Sequence, residues 1–288
     1  AASIEHASSN RPYSLTMLNV QPAPETPRRP TARRPILALL AAAALAPSCA
    51  AAKQPELSRS EFVLDTVCSV RIVGSADGTL LDDAFSRLRA VDDELNSYKP
   101  ELQIAAVNKA AGKAPVRVSD GAISVVERDL EYSRLSGGAF DPTVGPLVKL
   151  WEIGTDHARL PEKAEIAAAL ALVGWKDVIL DKEAKTIFLR REGMAIDLGS
   201  TTKGYAADAV ADLLRSRGVK KAIIDLGGNV MAIGSRPDGK PWRVGLQDPY
   251  EQRGSLLGVA SIVDESMVTS GAYERFFESG GKRYHHII

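Results

Sequence analysis

The apolar positions of this chain change period several times, and each change marks an element. Leu81, Ala84, Phe85, Leu88, Val91 and Leu95 recur at three- and four-residue spacing, which lines one face of a helix. The pattern ends at Asn96-Ser97-Tyr98-Lys99-Pro100, where the proline cannot continue it. A second helix is predicted over 120–135, capped by Ser119 or Asp120 and closed by Gly137-Gly138. An alanine-rich third helix is predicted over about 162–173. The apolar run at 61–73 reads as a strand, and Val178 to Leu180 with Thr186 to Leu189 read as a hairpin about a polar turn. Met194 to Leu198 reads as a short strand leading to a glycine turn. After Gly204, the sets Tyr205, Ala209, Leu213 and Ala206, Val210, Leu214 give a further helix face. Ala222 to Leu226 and Trp242 to Gln247 complete the predicted strands. Helices and strands mix without strict alternation, which favours an α+β fold with a mixed β-sheet core and packed helices over a doubly wound one.

Composition leaves room for this reading and narrows the partners. The 288 residues are 45% hydrophobic and 25% charged, as in globular domains with an ample core. Thirty-six basic and 36 acidic side chains cancel, and no basic stripe interleaves with aromatics, so nucleic acid is not an expected partner. Residues 1–55 read as an export signal and irregular N-terminus, and 56–288 as the folded domain. Met17 is a better start than Ala1. Arg28, Arg29, Arg33 and Arg34 precede an uncharged apolar run from Ile36 to Ala46 that is too short to span a bilayer. Cys49 follows it after small residues, as in bacterial lipoproteins, which are cut before a cysteine that is then lipidated. Ordinary cleavage in Ala50-Ala51-Ala52 is the alternative, and Arg33-Arg34 faintly resembles a twin-arginine signal. The expected location is periplasmic, with a lipid anchor on Cys49 holding the protein to the inner membrane. The other cysteine, Cys68, lies in an apolar run and reads as a buried structural thiol, so neither a disulfide framework nor a cysteine metal site is expected.

Candidate chemistry gathers in three glycine turns, each beside an acid or amide. They are 137–145 (Gly-Gly-Ala-Phe-Asp-Pro-Thr-Val-Gly), 196–207 (Ile-Asp-Leu-Gly-Ser-Thr-Thr-Lys-Gly-Tyr-Ala-Ala) and 225–229 (Asp-Leu-Gly-Gly-Asn). In the second, a helix start with unpaired N–H groups beside Lys203 suits a phosphate, and Asp197 offers a hydrogen-bond acceptor. None is a Walker loop or a Gly-x-Gly-x-x-Gly fingerprint. His-Glu-x-x-His and the Gly-x-Ser-x-Gly elbow are absent as well. His285 and His286 are adjacent, so in a strand only one of them faces a given site.

Together these segments resemble the FAD:protein FMN transferases, the ApbE-type flavin transferases once called thiamine biosynthesis lipoproteins. Asp65-Thr66-Val67, Leu95 to Pro100, Gly138 to Leu147, Asp197 to Ala206, Asp225 to Asn229, Thr269-Ser270-Gly271 and His285 to Ile288 run in the family's order. The resemblance implies an ApbE-like, T-fold-like architecture and a reaction. FAD is bound, its pyrophosphate is broken, FMN is esterified to a threonine of a respiratory or redox flavoprotein, and AMP is released. It implies flavin or adenosine contacts at Val67, Tyr98, Ala139, Phe140, Asp141, Asp197, Lys203 and Ile288. Ser200 is the implied ligand for Mg²⁺, through its main-chain oxygen, and His286 the implied base for the threonine proton. At position 67 many members carry methionine. Members also continue past His-x-Ile to an Asp-x-x-Ala/Ser-Thr segment that completes the metal site. The expectation is therefore of a C-terminally truncated, nearly inactive chain. An FAD pyrophosphatase, or a periplasmic protein that binds FAD without chemistry, stands as the alternative.

Overall fold

The run expected as one strand over 61–73 folds back on itself. In the computed structural model, which describes residues 54–288, β1 (Glu56–Val63) and β2 (Thr66–Val73) are antiparallel partners. The two-residue turn between them, Leu64-Asp65, has φ of 56° at both positions. Two successive left-handed residues match the right-handed twist of a hairpin, but glycine or asparagine usually signals them. Neither is present, so the pattern reads through the turn. Ile36–Ala46, Cys49 and the arginines before them lie outside the described residues.

The hairpin opens a five-stranded sheet of order β1-β2-β6-β7-β10, with β6 (Ala222–Leu226), β7 (Asn229–Ile233) and β10 (Ser266–Val268). Every pairing in it is antiparallel, which narrows the expected mixed sheet; an isolated bridge, Val144 with Ala195, is parallel. Gly227 and Gly228 turn β6 into β7 at φ of 66° and 91°. A Cβ on Gly227 would lie 2.1 Å from Thr66 Oγ1, so the glycine serves close approach as well as the turn. On one face of the sheet pack α1 (Thr79–Leu95) and α6 (Gly199–Ser216), in contact with each other. Phe85, Leu88, Val91, Leu214, Ile224 and Leu226 are fully buried between these layers. The periodic face of α1 is thus the buried face, as predicted.

α3 (Asp120–Leu135) has the predicted bounds and packs on α1 and α6; Ser119 caps it by accepting from Ala122 N at 3.1 Å. A second sheet has the order β3-β5-β4, from β3 (Val116–Arg117), β4 (Val178–Asp181) and β5 (Thr186–Leu189), the last two being the expected hairpin. α2 (Gln103–Lys109) and α4 (Gly145–Trp151) have seven residues each, too few for a periodic signal. α5 (Lys163–Leu170) ends before the predicted 173. β11 (Phe276–Ser279) and β12 (Lys282–His285) form a last hairpin. Residues 243–261 form a separate small unit, where most of β8 (Trp242–Gln247) pairs with β9 (Leu256–Ile262). Its loop is pinned by Gln247, whose amide bonds Gln252 O and Gly254 N. No helix among the described residues is long and apolar enough to cross a membrane.

Candidate active site

The short strand expected over Met194 to Leu198 does not form: the segment belongs to no sheet, and its bridge, at Ala195, is to Val144 in the turn before α4. A side chain supplies the missing strand neighbour. Asn108 of α2 accepts from Ile196 N at 2.8 Å and donates to Ile196 O at 3.0 Å, while Asp197 N donates to Pro142 O at 2.8 Å. Clamped on both sides, the segment delivers Asp197 at the mouth of α6. The hydroxyl-rich turn expected to precede the helix is its first turn instead. Leu198 O accepts from Thr202 N and Thr202 Oγ1, at 2.9 and 2.7 Å, so hydroxyl and backbone together start the helix at Gly199.

Tyr98 and Asp197 meet here. The phenol donates to Asp197 Oδ2 at 2.6 Å, and Asp197 Oδ1 accepts from Gly199 N at 2.9 Å. Burial first, then the Asp197 charge and its hydrogen bond, push the Tyr98 phenol well above its ordinary range, so it stays a donor. The Tyr98 residue is nonetheless 70% exposed, which leaves ring surface for a flat ligand. Asp141 is differently employed. Its Oδ1 takes Thr143 N and Oγ1, at 2.8 and 2.6 Å, and its Oδ2 takes Trp175 N at 2.9 Å. Oδ1 thus braces the 138–147 loop internally, and Oδ2 ties it to the start of the turn at Trp175. Phe140 packs edge-on against Tyr132 with centroids 6.2 Å apart, and Ala139 is exposed.

Lys203 is half-buried one turn into α6. Desolvation lowers its pKa, Arg275 lowers it further, and Cys68, Asp65 and Asp225 pull it back. Each of these groups therefore lies within electrostatic reach of the ammonium. Arg275 pairs with Asp65 Oδ2 at 2.7 Å and with Asp65 O at 2.9 Å, which fastens the strained hairpin turn to the segment before β11. The Cys68 thiol is buried, donates to Val63 O at 3.3 Å, and is pushed up to about 11 by desolvation, as expected of a structural thiol. His286 leaves β12 and returns to Arg275. Its backbone N donates to Arg275 O at 3.1 Å, and its Nδ1 lies 3.3 Å from the same oxygen. A proton on Nδ1, which this partner favours, leaves the Nε2 lone pair free. Val67, 60% exposed, sits next to Thr66, which packs under Gly227.

A family model described as the ApbE family matches residues 64–288. The chain belongs to the ApbE family. It is 41% identical over 214 residues to the FAD:protein FMN transferase of Klebsiella pneumoniae (strain 342), covering 74% of this chain and 66% of that one. The FAD:protein FMN transferase of Treponema pallidum (strain Nichols) is 37% identical over 254 residues, covering 82% and 70%. The chain thus spans about two thirds of the length of these curated relatives. Among solved structures, the ApbE protein of Thermotoga maritima superposes with a TM-score of 0.74 at 29% identity, covering 81% of this chain and 76% of that one. The flavin transferase ApbE of Vibrio cholerae gives 0.72 at 27%, covering 82% and 76%. The α+β architecture is therefore that of ApbE structures.

Against this ApbE frame the expected residues divide. Tyr98 bonds Asp197 and His286 bonds Arg275, and Arg275 and Asp65, which the sequence did not mark as site residues, act electrostatically on both the Tyr98 phenol and Lys203. Ile288 lines a cavity of about 210 Å³ with Trp151, Ile153, Tyr284 and His285. Asn108 and Arg275 lie in ordinary-looking helix and loop text, where no local signal marks them. Ser200 is exposed in the first turn of α6. Among the described residues no group of three His, Cys, Asp or Glu side chains is placed to hold a metal, and one serine cannot hold Mg²⁺. The residues present do not fit that ion by themselves.

Proposed function

We propose that this ApbE-family chain is a flavin transferase fold that binds FAD, breaks its pyrophosphate, and passes FMN to a threonine of a partner flavoprotein with release of AMP. The observation that carries the reading is the Tyr98–Asp197 pair on Gly199 N at the start of α6, with Lys203 one turn on under the influence of Arg275, whose backbone oxygen holds His286. In this reading the Tyr98 ring lies against a flat part of FAD, and Asp197 accepts from it. Lys203 and the N–H groups of α6 face the pyrophosphate. His286 receives the threonine proton at Nε2 while Nδ1 stays on Arg275 O. Positioning and charge neutralisation carry most of such a phosphoryl substitution. Mg²⁺ dependence belongs to the same proposal, but the ion needs ligands beyond Ser200, and no step here is routed through it.

FAD binding needs only the residues described, so it is the first measurement. Quenching of flavin fluorescence on titration with the chain supports the reading, and no binding at any concentration up to millimolar refutes it. Incubation with FAD, Mg²⁺ and a threonine-bearing flavoprotein then separates outcomes: flavin fluorescence on the denatured target with equimolar AMP is transfer, whereas free FMN with AMP is hydrolysis. We also propose export to the periplasm and a lipid anchor on Cys49. Incorporation of labelled fatty acid that Cys49→Ala abolishes supports the anchor, and labelling that survives Cys49→Ala overturns it.

A further inference from the structure

The buried face of α3 is apolar at Ala122, Ile123, Val125 and Val126, and then carries an acid, Asp129, that is 0% exposed. Its Oδ2 lies 3.1 Å from Thr201 Oγ1, in the first turn of α6, and its Oδ1 has no partner among the described residues. Thr201 Oγ1 lies also 3.3 Å from Leu198 O, the residue that opens α6 directly after Asp197. A hydroxyl has one proton, so Thr201 can donate to only one of these two oxygens at a time.

We propose that Asp129 is a positioning residue for the ligand-binding turn, holding the start of α6 through Thr201 and reversing the direction of that hydrogen bond when it gains or loses its proton. The neutral acid donates from its carboxyl to Thr201 Oγ1, and Thr201 donates onward to Leu198 O. The carboxylate accepts from Thr201, and Leu198 O loses the Thr201 hydroxyl while keeping Thr202 N and Thr202 Oγ1. Ionisation, with the proton going to solvent, also places a negative charge behind the N–H groups that a pyrophosphate would meet from the front. The two anions then compete for one helix end. Burial holds the acid neutral up to about pH 7, opposed only by the Thr201 hydrogen bond. No charged group on α1, α6 or β4, the elements packed on α3, contributes; Asp208 of α6 is raised by its own burial and by Asp212, against Arg215 and Arg128.

The consequence for FAD rests on the functional reading above, whereas the hydrogen-bond reversal does not, and the experiment separates them. NMR of the labelled chain follows the Asp129 carboxyl carbon and the Thr201 and Thr202 amides from pH 5 to 9, with FAD affinity measured in parallel. The amides are expected to follow the carboxyl with one midpoint, and FAD to bind at least threefold more weakly at pH 8.5 than at pH 6. Asp129→Asn, a mimic of the neutral acid, removes both pH dependences and keeps the affinity of pH 6. Thr201→Val, of nearly the same shape, leaves the carboxyl titrating but uncouples the amides, and it serves as the test should Asp129→Asn not fold. Amides that ignore the carboxyl, or a pH dependence that survives Asp129→Asn, overturn the proposal. If FAD binds at no pH, the functional reading fails and the amide titration alone decides the role of Asp129.

Discussion

Tyr98 offers the ligand a ring and Asp197 a hydrogen bond, and single substitutions separate the two contributions. Tyr98→Phe removes the 2.6 Å bond but keeps the face, so FAD affinity is expected to change no more than about threefold, whereas Tyr98→Ala weakens it roughly tenfold. Equal losses in the two variants, measured by flavin fluorescence, would show that the hydroxyl and not the ring matters. Asp129 makes a second prediction, about stability. Its pKa is raised from 3.8 to about 7 in the fold, so between those values the folded chain holds a proton that the unfolded chain has released. Stability therefore falls as pH rises through that window, by on the order of 4 kcal/mol at most, and is flat above it. Asp129→Asn has no such slope and should be the more stable form at pH 8, with the advantage vanishing near pH 4; urea melts across the range check the sign. Asp197 and Lys203 were legible in the sequence because a glycine turn displays them together. Asp129 was not. In a helix of mixed polarity a single acid looks solvated, and only the packing of α3 on α6 turns it inward.

At the scale of elements, α3 shows what makes a boundary readable. Ser119 caps it, and the same hydroxyl receives Gln103 Nε2 at 2.9 Å and makes a short hydrogen bond to Glu94, while Gln103 Oε1 takes Ser119 N at 2.8 Å. One serine thus ties α1, α2 and α3 at their ends. Ser119→Ala is expected to cost about 1–2 kcal/mol, the upper end because Gln103 and Glu94 lose a partner as well as the helix its cap. A loss of a few tenths in a chemical melt would mean that water replaces the hydroxyl. The start and stop of α3 were legible because a cap and a glycine pair mark them. The Leu64-Asp65 turn carried no such mark, and its left-handed geometry is held instead by tertiary contacts: Leu64 is buried and Asp65 pairs with Arg275. Likewise, the extended segment before α6 depends on Asn108, 88 residues away, which no window of local sequence can include.

For the whole molecule, the fold class was readable from mixed periodicities, and the candidate site only in outline, because its parts come together by sheet order. β2 lies beside β6, which brings Thr66 under Gly227; Arg275 then bridges the hairpin turn to His286. Lys203 reports on this assembly, since it is a half-buried cation whose pKa burial lowers. Folding gains nothing from its charge, whereas a bound pyrophosphate does. Lys203→Met is therefore expected to leave the melting temperature of the free chain unchanged or raised. FAD at a hundred times its dissociation constant should stabilise the unsubstituted chain by about 2.7 kcal/mol, a shift of several degrees. At the same FAD concentration the variant should lose more than half of that shift, because a charged hydrogen bond of about 1.5–3 kcal/mol to phosphate is gone. Thermal melts with and without FAD decide it. A variant that melts lower when free, yet keeps the full FAD shift, would make Lys203 a structural cation held by Asp65 and Asp225 and would move the phosphate away from α6.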